Sequence, residues 1–243
     1  MIRLDSLSVK YDDKTVLNDI SLSIENHLSI LGANGSGKST LAKALCNLID
    51  YDGKISIDDK DIKEFSLKER AKLLSYIPAK LEVYDPFISV EEFVLLGRFA
   101  HKKNFLDYSD KDKKIAQNTL EFLNISHLSK HTLNSLSSGE AGLVLIASAL
   151  CTQSKIIILD EPTANLDPHN AKKIAQHIKG LKDYHQVILI THDLHLAAFI
   201  DSPTLFIKDS DAAYFEKKEE FFNNSTLQEL YNVEFEDLAV KYE

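Results

Sequence analysis

The chain has 243 residues, 44% hydrophobic and 27% charged: long enough for one α/β domain with an inserted subdomain and a sizeable core, and unlike a disordered chain. A net charge of −9 argues against a broad phosphate-backbone footprint, so nucleic acid is not expected as a partner. No apolar run approaches the ~18 to 20 residues of a membrane helix, and "MIRLDSLSVKY" lacks the apolar centre of a signal peptide. The two cysteines, Cys46 and Cys151, have no metal-ligand spacing and read as buried, reduced thiols of a cytoplasmic chain.

In chain order, "IRLDSLSVKY" and "HLSILG" carry the alternating or short apolar runs of strands and frame a turn-rich "DDKTVLND". "KSTLAKALCNLI" places Leu41, Leu45 and Leu48 at helical spacing, so a strand runs through a glycine loop into a helix. "DGKISIDDKDI" reads as a hairpin turning at Asp58–Asp59, and "AKLLSYIP" as a strand stopped by Pro78. From about Ser89 to Leu150 three segments in a row read as helices, "SVEEFVLLGRF", "SDKDKKIAQNTLEFL" opened by Ser109, and "SSGEAGLVLIASAL". Strand and helix then alternate again. "KIIILD" and "QVILIT" have the unbroken apolar runs of buried parallel strands, flanking a helix with Pro168 at its start. "TLFIK" and "AAYF" give two short strands, and "STLQELYN" a small closing helix.

"GANGSGKS" spells G-x-x-x-x-G-K-S between an apolar strand and a helix. Glycines let backbone N–H groups turn in around phosphate oxygens, Lys38 brings a positive charge to the terminal phosphates, and Ser39 offers a hydroxyl to Mg²⁺. Gly32, Asn34, Gly35, Ser36, Gly37, Lys38, Ser39 and Thr40 are the candidate nucleotide-binding residues. "IIILDEP" is a buried strand ending in two acids: Asp160 would hold Mg²⁺, with Ser39, and Glu161 would take a proton from an attacking water. "LITHD" delivers His192 to the same sheet edge, as a contact for the γ-phosphate. Lys38, Glu161 and His192 are the candidate catalytic residues.

The order of phosphate loop, "LSSGE" (Leu136 to Glu140), "ILDEP", "NLD" (Asn165 to Asp167) and "THD" resembles the ATP-binding subunits of ABC transporters over essentially the whole chain. The resemblance implies a phosphate-loop NTPase (RecA-like) α/β core with an antiparallel β subdomain and an inserted α-helical subdomain. That is one domain over 1–243, with core 1–78 and 152–243 and helical subdomain 79–151. It further implies a homodimer, or paired ATPase subunits, with two ATP and Mg²⁺ sandwiched between them. Ser137, Ser138 and Gly139 would then face the γ-phosphate of ATP held on the partner's Lys38, Asp167 would link the two sites, Tyr11 would stack on adenine and Val16 would line its edge.

Gly97, Arg98, Phe99 and His101 in "SVEEFVLLGRFAH", and the closing "FFNNSTLQELYNVEFE", resemble the ATPases of iron-siderophore, haem and cobalamin importers. That resemblance implies a separate transmembrane permease, a periplasmic binding protein acting through it, and a location on the inner face of the cell membrane.

The pattern breaks at Ala79, where the family carries a glutamine that reaches Mg²⁺ and the attacking water; a methyl can do neither, and the ammonium of Lys80 cannot ligate a metal. Ser138 replaces a signature glycine, Glu140 stands for glutamine, and Ala141-Gly142 fill positions that are commonly polar. Two readings follow: an ATPase with one part exchanged, or a nucleotide-gated dimerisation module with little hydrolysis. A soluble relative acting in cluster assembly is a further alternative.

Overall fold

The structure is a computed structural model describing residues 1–80, 85, 87–102, 107–164 and 166–232. Its elements in chain order are β1 (Ile2–Tyr11), β2 (Lys14–Ile24), β3 (Leu28–Leu31), α1 (Lys38–Leu45), β4 (Asp52–Ile57), β5 (Lys60–Asp61), α2 (Leu67–Leu73) and β6 (Leu74–Ile77). Then come α3 (Val90–Leu96), α4 (Asp110–Phe122), α5 (Ser138–Thr152), β7 (Ile156–Asp160), α6 (Pro168–Leu181) and β8 (Gln186–Ile190). The chain closes with α7 (Leu194–Ile200), β9 (Thr204–Lys208), β10 (Asp211–Phe215), α8 (Lys218–Phe221) and α9 (Asn224–Tyr231).

The strands form two sheets. An antiparallel one has order β2-β1-β4-β5, and a six-stranded one has order β10-β9-β3-β8-β7-β6. In the second sheet β9, β3, β8, β7 and β6 run parallel and only β10 is antiparallel. Buried on both faces, β7 is apolar from Ile156 to Leu159 and its residues part by parity. Ile156 and Ile158 join a core with the antiparallel sheet and α1, while Ile157 and Leu159 join one with α5, α6 and the other helices. β8 does the same, Ile188 and Ile190 facing one way, Val187 and Leu189 the other. The apolar runs thus place the sheet between two layers, as the α/β reading requires, and the carboxyl ends of β3, β7 and β8 meet along one edge.

Several local expectations are corrected. Most of the turn-rich "DDKTVLND" lies inside the 11-residue strand β2; only Asp12 and Asp13 turn, between Tyr11 and its partner Lys14. Asp19 sits in β2 at φ 48°, at an irregularity in the pairing, with its N–H donating to Ser8 Oγ at 2.8 Å. Residues 71–73, expected as strand, end the helix α2, and the strand begins only at Leu74. Leu48 does not extend the buried face of α1: the helix stops at Leu45, Asn47 turns at φ 51°, and Leu48 is 59% exposed. Residues 194–200 and 218–221, to which the sequence pattern assigns nothing, are α7 and α8. The hairpin turn at Asp58–Asp59 is as expected, both residues being left-handed at φ 50° and 65°.

The Gly-Arg segment fastens the helical layer. A Cβ on Gly97 would lie 2.4 Å from the Ser148 carbonyl oxygen, so only glycine lets α3 meet α5 this closely. Buried Arg98 donates from Nε to Asp112 Oδ1 at 2.9 Å, and from Nη1 to the Cys151 carbonyl at 2.8 Å and Gln153 Oε1 at 3.0 Å. His101 Nε2 lies 2.8 Å from the Thr152 carbonyl, which can only accept, so that nitrogen carries the hydrogen. Cys46 and Cys151 are buried and unbridged, and burial pushes each thiol up to about 12. No helix among the described residues is long and apolar enough to cross a membrane.

Candidate nucleotide site

The glycine loop runs from β3 to α1 and is pressed against its neighbours. Gly32 has φ 149°, and a Cβ there would stand 2.4 Å from the Ile207 carbonyl oxygen of β9. Gly37, at φ 106°, caps α1, and a Cβ there would meet Leu17 at 2.9 Å. The loop backbone can pass between β2 and β9 only because those side chains are missing.

Lys38, the first residue of α1, is 6% exposed. Its Nζ donates to the carbonyls of Gly32 at 2.9 Å and Ala33 at 3.0 Å, and lies 4.0 Å from Glu161 Oε1. Burial holds this amine below the usual lysine value, opposed by the charges of Glu161 and Asp160. A cation brought to the positive end of a helix, with two carboxylates beside it, is suited to an anionic ligand.

Glu161 follows the last residue of β7 and adopts φ 49°, a left-handed conformation that costs a non-glycine residue about 1 kcal/mol. It is held there by its N–H, donating to the Ile190 carbonyl at 2.8 Å, and by Thr191 Oγ1, donating to Oε2 at 3.2 Å. His192 Nδ1 lies 2.9 Å from Oε1. Strain kept by this many contacts at a strand end is a mark of a working residue. Asp160, 3% exposed, accepts from the Tyr76 hydroxyl at 2.9 Å through Oδ2, while its Oδ1 is buried without a hydrogen-bond partner among the described residues. The Tyr76 phenol is pushed well up by burial, then by the charge of Asp160 and the hydrogen bond to it, and so remains a neutral donor.

Asp160 and the Ser39 hydroxyl line one cavity of about 780 Å³, walled on its far side by Phe93, Leu96 and Phe99. A buried, unpartnered carboxylate oxygen beside a hydroxyl is a donor set for a hard divalent cation, so these residues fit Mg²⁺. Ala79 and Lys80 lie on the same cavity and are exposed.

The structure thus brings Lys38, Ser39, Asp160, Glu161 and His192 to one place. A second group of candidates gathers elsewhere. Ser137 caps α5 through a reciprocal pair, its hydroxyl donating to Glu140 Oε2 at 2.7 Å while the N–H of Glu140 points back to it. The hydroxyl of Ser137, and then its N–H donating to the same oxygen at 2.8 Å, hold the Glu140 carboxyl below its usual value. A Cβ on Gly139 would strike Asn170 at 2.6 Å, and Asn170 Nδ2 donates to Asp167 Oδ2 at 2.6 Å, so Gly139 and Asp167 are coupled through one side chain. Asp167 caps α6, accepting from the N–H of His169 at 2.9 Å. Asn165 and residues 233–236 of the closing segment fall outside the described residues.

Val16 lines a second cavity of about 500 Å³ with Asn34, Gly35 and Ser36, whose Oγ is buried without a hydrogen-bond partner among the described residues. Tyr11 ends β1 at 47% exposure and is not among the described residues lining either cavity. Thr40 is half-buried in the first turn of α1, and Ser138 begins α5 on the exposed side. Two residues of the site escape a motif reading. Thr191 stands inside "LITHD" and could have been found there, whereas Tyr76 has no signal except its strand register opposite β7.

A family model described as "ABC transporter" matches residues 17–164. The petrobactin import ATP-binding protein FatE of Bacillus anthracis is 28% identical over 247 aligned residues, spanning 100% of this chain and 98% of that one. Among solved structures, a metal-chelate type ABC transporter in an inward-facing conformation superposes with a TM-score of 0.84 at 26% identity, covering 96% of this chain and 89% of that one. A dimeric ATP-binding cassette in a post-hydrolysis state, bound to ADP and phosphate, gives 0.77 at 27% identity over 89% of this chain and 98% of that one.

Proposed function

The chain belongs to the ABC transporter family, and from that premise we propose that it is the ATP-hydrolysing subunit of an importer for an iron chelate, haem or a cobalamin-like ligand. The observation that carries the enzymatic part is that Lys38 and His192 meet Glu161 at 4.0 and 2.9 Å, next to Asp160 at the end of β7, where the parallel strands β3, β7 and β8 stop. Lys38 binds the terminal phosphates. Glu161, oriented by Thr191 and His192, accepts the proton of the attacking water, and His192 contacts the γ-phosphate. Ser39 and Asp160 would hold Mg²⁺, which when bound would supply charge neutralisation for the phosphates. Tyr11 and Val16 face the base, and Gly32, Asn34, Gly35, Ser36, Gly37 and Thr40 wrap the phosphates.

Two copies, or this chain and a paired subunit, enclose ATP with Ser137, Ser138 and Gly139 turned to the opposite γ-phosphate. The pairing is supported by the dimeric cassette similar to this chain, and by the placing of Gly139 and Asp167 side by side at two helix amino termini. The ligand class is supported by the import role in the printed name of the Bacillus anthracis relative and the metal-chelate type of the first structure. A transmembrane permease then carries the ligand, fed by a periplasmic binding protein, and holds this subunit at the inner face of the cell membrane.

The nucleotide-gated module is the second reading, and Ala79 favours it. Steady-state hydrolysis across protein concentration, beside Glu161→Gln, decides between them. Turnover per subunit that climbs with concentration and vanishes in the variant supports a dimeric ATPase; Mg-ATP binding without turnover, with or without the permease, overturns it in favour of the module. Uptake of a labelled ferric chelate, haem and a cobalamin by vesicles holding the permease, this subunit and the binding protein tests the ligand class, and no ATP-dependent uptake of any of the three would overturn it.

A further inference from the structure

Tyr76 lies on β6 in register with Ile158 of β7. Its ring reaches two residues along that strand and donates to Asp160 Oδ2 at 2.9 Å. The two oxygens of Asp160 are therefore unlike. One is fixed by a phenol, and the other is buried with no hydrogen-bond partner among the described residues. Leaving a carboxylate oxygen buried and unpaired is unfavourable and asks for a ligand.

Among the described residues lining the cavity shared with Ser39, Asp160 is the one carboxylate. Ala79 brings a methyl, and Lys43 and Lys80 bring ammonium groups that cannot ligate a cation. With one carboxylate among the described lining residues, its orientation carries more weight than in a site with several.

We propose that Tyr76 is a positioning residue for the divalent cation of the ATP site, holding Oδ2 of Asp160 so that Oδ1 is presented to the metal. The proposal rests on the ATPase reading above. Outer partners that orient a ligating carboxylate are part of a metal site's affinity. Phenylalanine at 76 would keep the ring packed in the strand and remove only the hydroxyl, leaving Asp160 free to rotate with both oxygens unpaired.

The probe is Mn²⁺, followed by electron paramagnetic resonance as it binds the full chain loaded with ADP. Tyr76→Phe is expected to weaken Mn²⁺ binding roughly tenfold, and to change the linewidth of the bound signal. ADP affinity in EDTA should stay at its wild-type value, while the melting temperature should fall modestly because a buried Asp160 oxygen loses its donor. Unchanged Mn²⁺ affinity would overturn the proposal. So would an equal loss of ADP affinity in EDTA, which would make Tyr76 a general support of the pocket. A wild-type chain that binds no ADP at all would remove the ATPase reading and this proposal with it, a result visible before any variant is made.

Discussion

His192 Nδ1 stands 2.9 Å from Glu161 Oε1, joining the residue after β7 to the second residue after β8. Because a carboxylate can only accept, the contact fixes which imidazole nitrogen carries hydrogen and turns the ring into a set position. Glu161→Gln keeps the shape and removes the proposed base. Turnover should fall by about 10²–10⁴-fold while ATP binding, read by fluorescence of a labelled nucleotide, persists. His192→Ala should lower turnover about a hundredfold with less effect on binding.

Ala79 is exposed at the rim of the cavity that holds Asp160 and Ser39, so a longer side chain meets no packed neighbour. Ala79→Gln should leave the urea midpoint within the small range of surface changes. One added hydrogen bond of about 1 kcal/mol in the transition state corresponds to a roughly fivefold rise in turnover. Equal rates for the two proteins, with and without the permease, would contradict this.

Gly97 has an ordinary helical backbone, so its replacement is a pure packing test. Gly97→Ala drives a methyl to within 2.4 Å of the Ser148 carbonyl oxygen, and α3 must back away from α5. A loss of about 1–3 kcal/mol in urea unfolding is expected.

Asp112 gives a pH prediction. Burial works to raise its carboxyl, but the hydrogen bonds from Ser109 and Arg98 and the charge of Arg98 prevail and hold it below the usual 3.8. A carboxyl lowered in the folded state contributes stability that is complete above the unfolded value and lost as pH falls through the folded one. Asp112→Asn leaves the Arg98 guanidinium buried without its counter-charge and should cost about 3 kcal/mol at pH 7. The gap between the two proteins should hold steady down to about pH 4.5 and close below the carboxyl's unfolded value. A gap that instead widened on acidification would show that the pairing is misjudged.

Much of the architecture is written in patterns that burial enforces. The apolar runs of β7 and β8 must be two-faced strands, and Gly32 and Gly37 stand where a side chain would strike β9 or β2. What escaped has local causes. Asn18 and Asp19 look like turn residues but mark an irregularity in the pairing of β2 while Leu17 and Ile20 remain core on either side. α2 has no buried residue and hence no apolar stripe, though the reciprocal cap of Ser66 and Glu69 announces it. At the site, motifs located Lys38, Ser39, Asp160, Glu161 and His192, yet gave no sign of Tyr76, whose partner is set by which strands lie side by side.

The parity of β7 fixes its length more tightly than its composition. Exchanging Ile156, Ile157, Ile158 or Leu159 among branched aliphatic residues would leave each facing its own layer. Deleting any one of them would either send the residues before the gap to the opposite layers or shift Asp160 and Glu161 against Tyr76 and His192. Libraries that vary this strand should therefore recover many sequences and a single spacing.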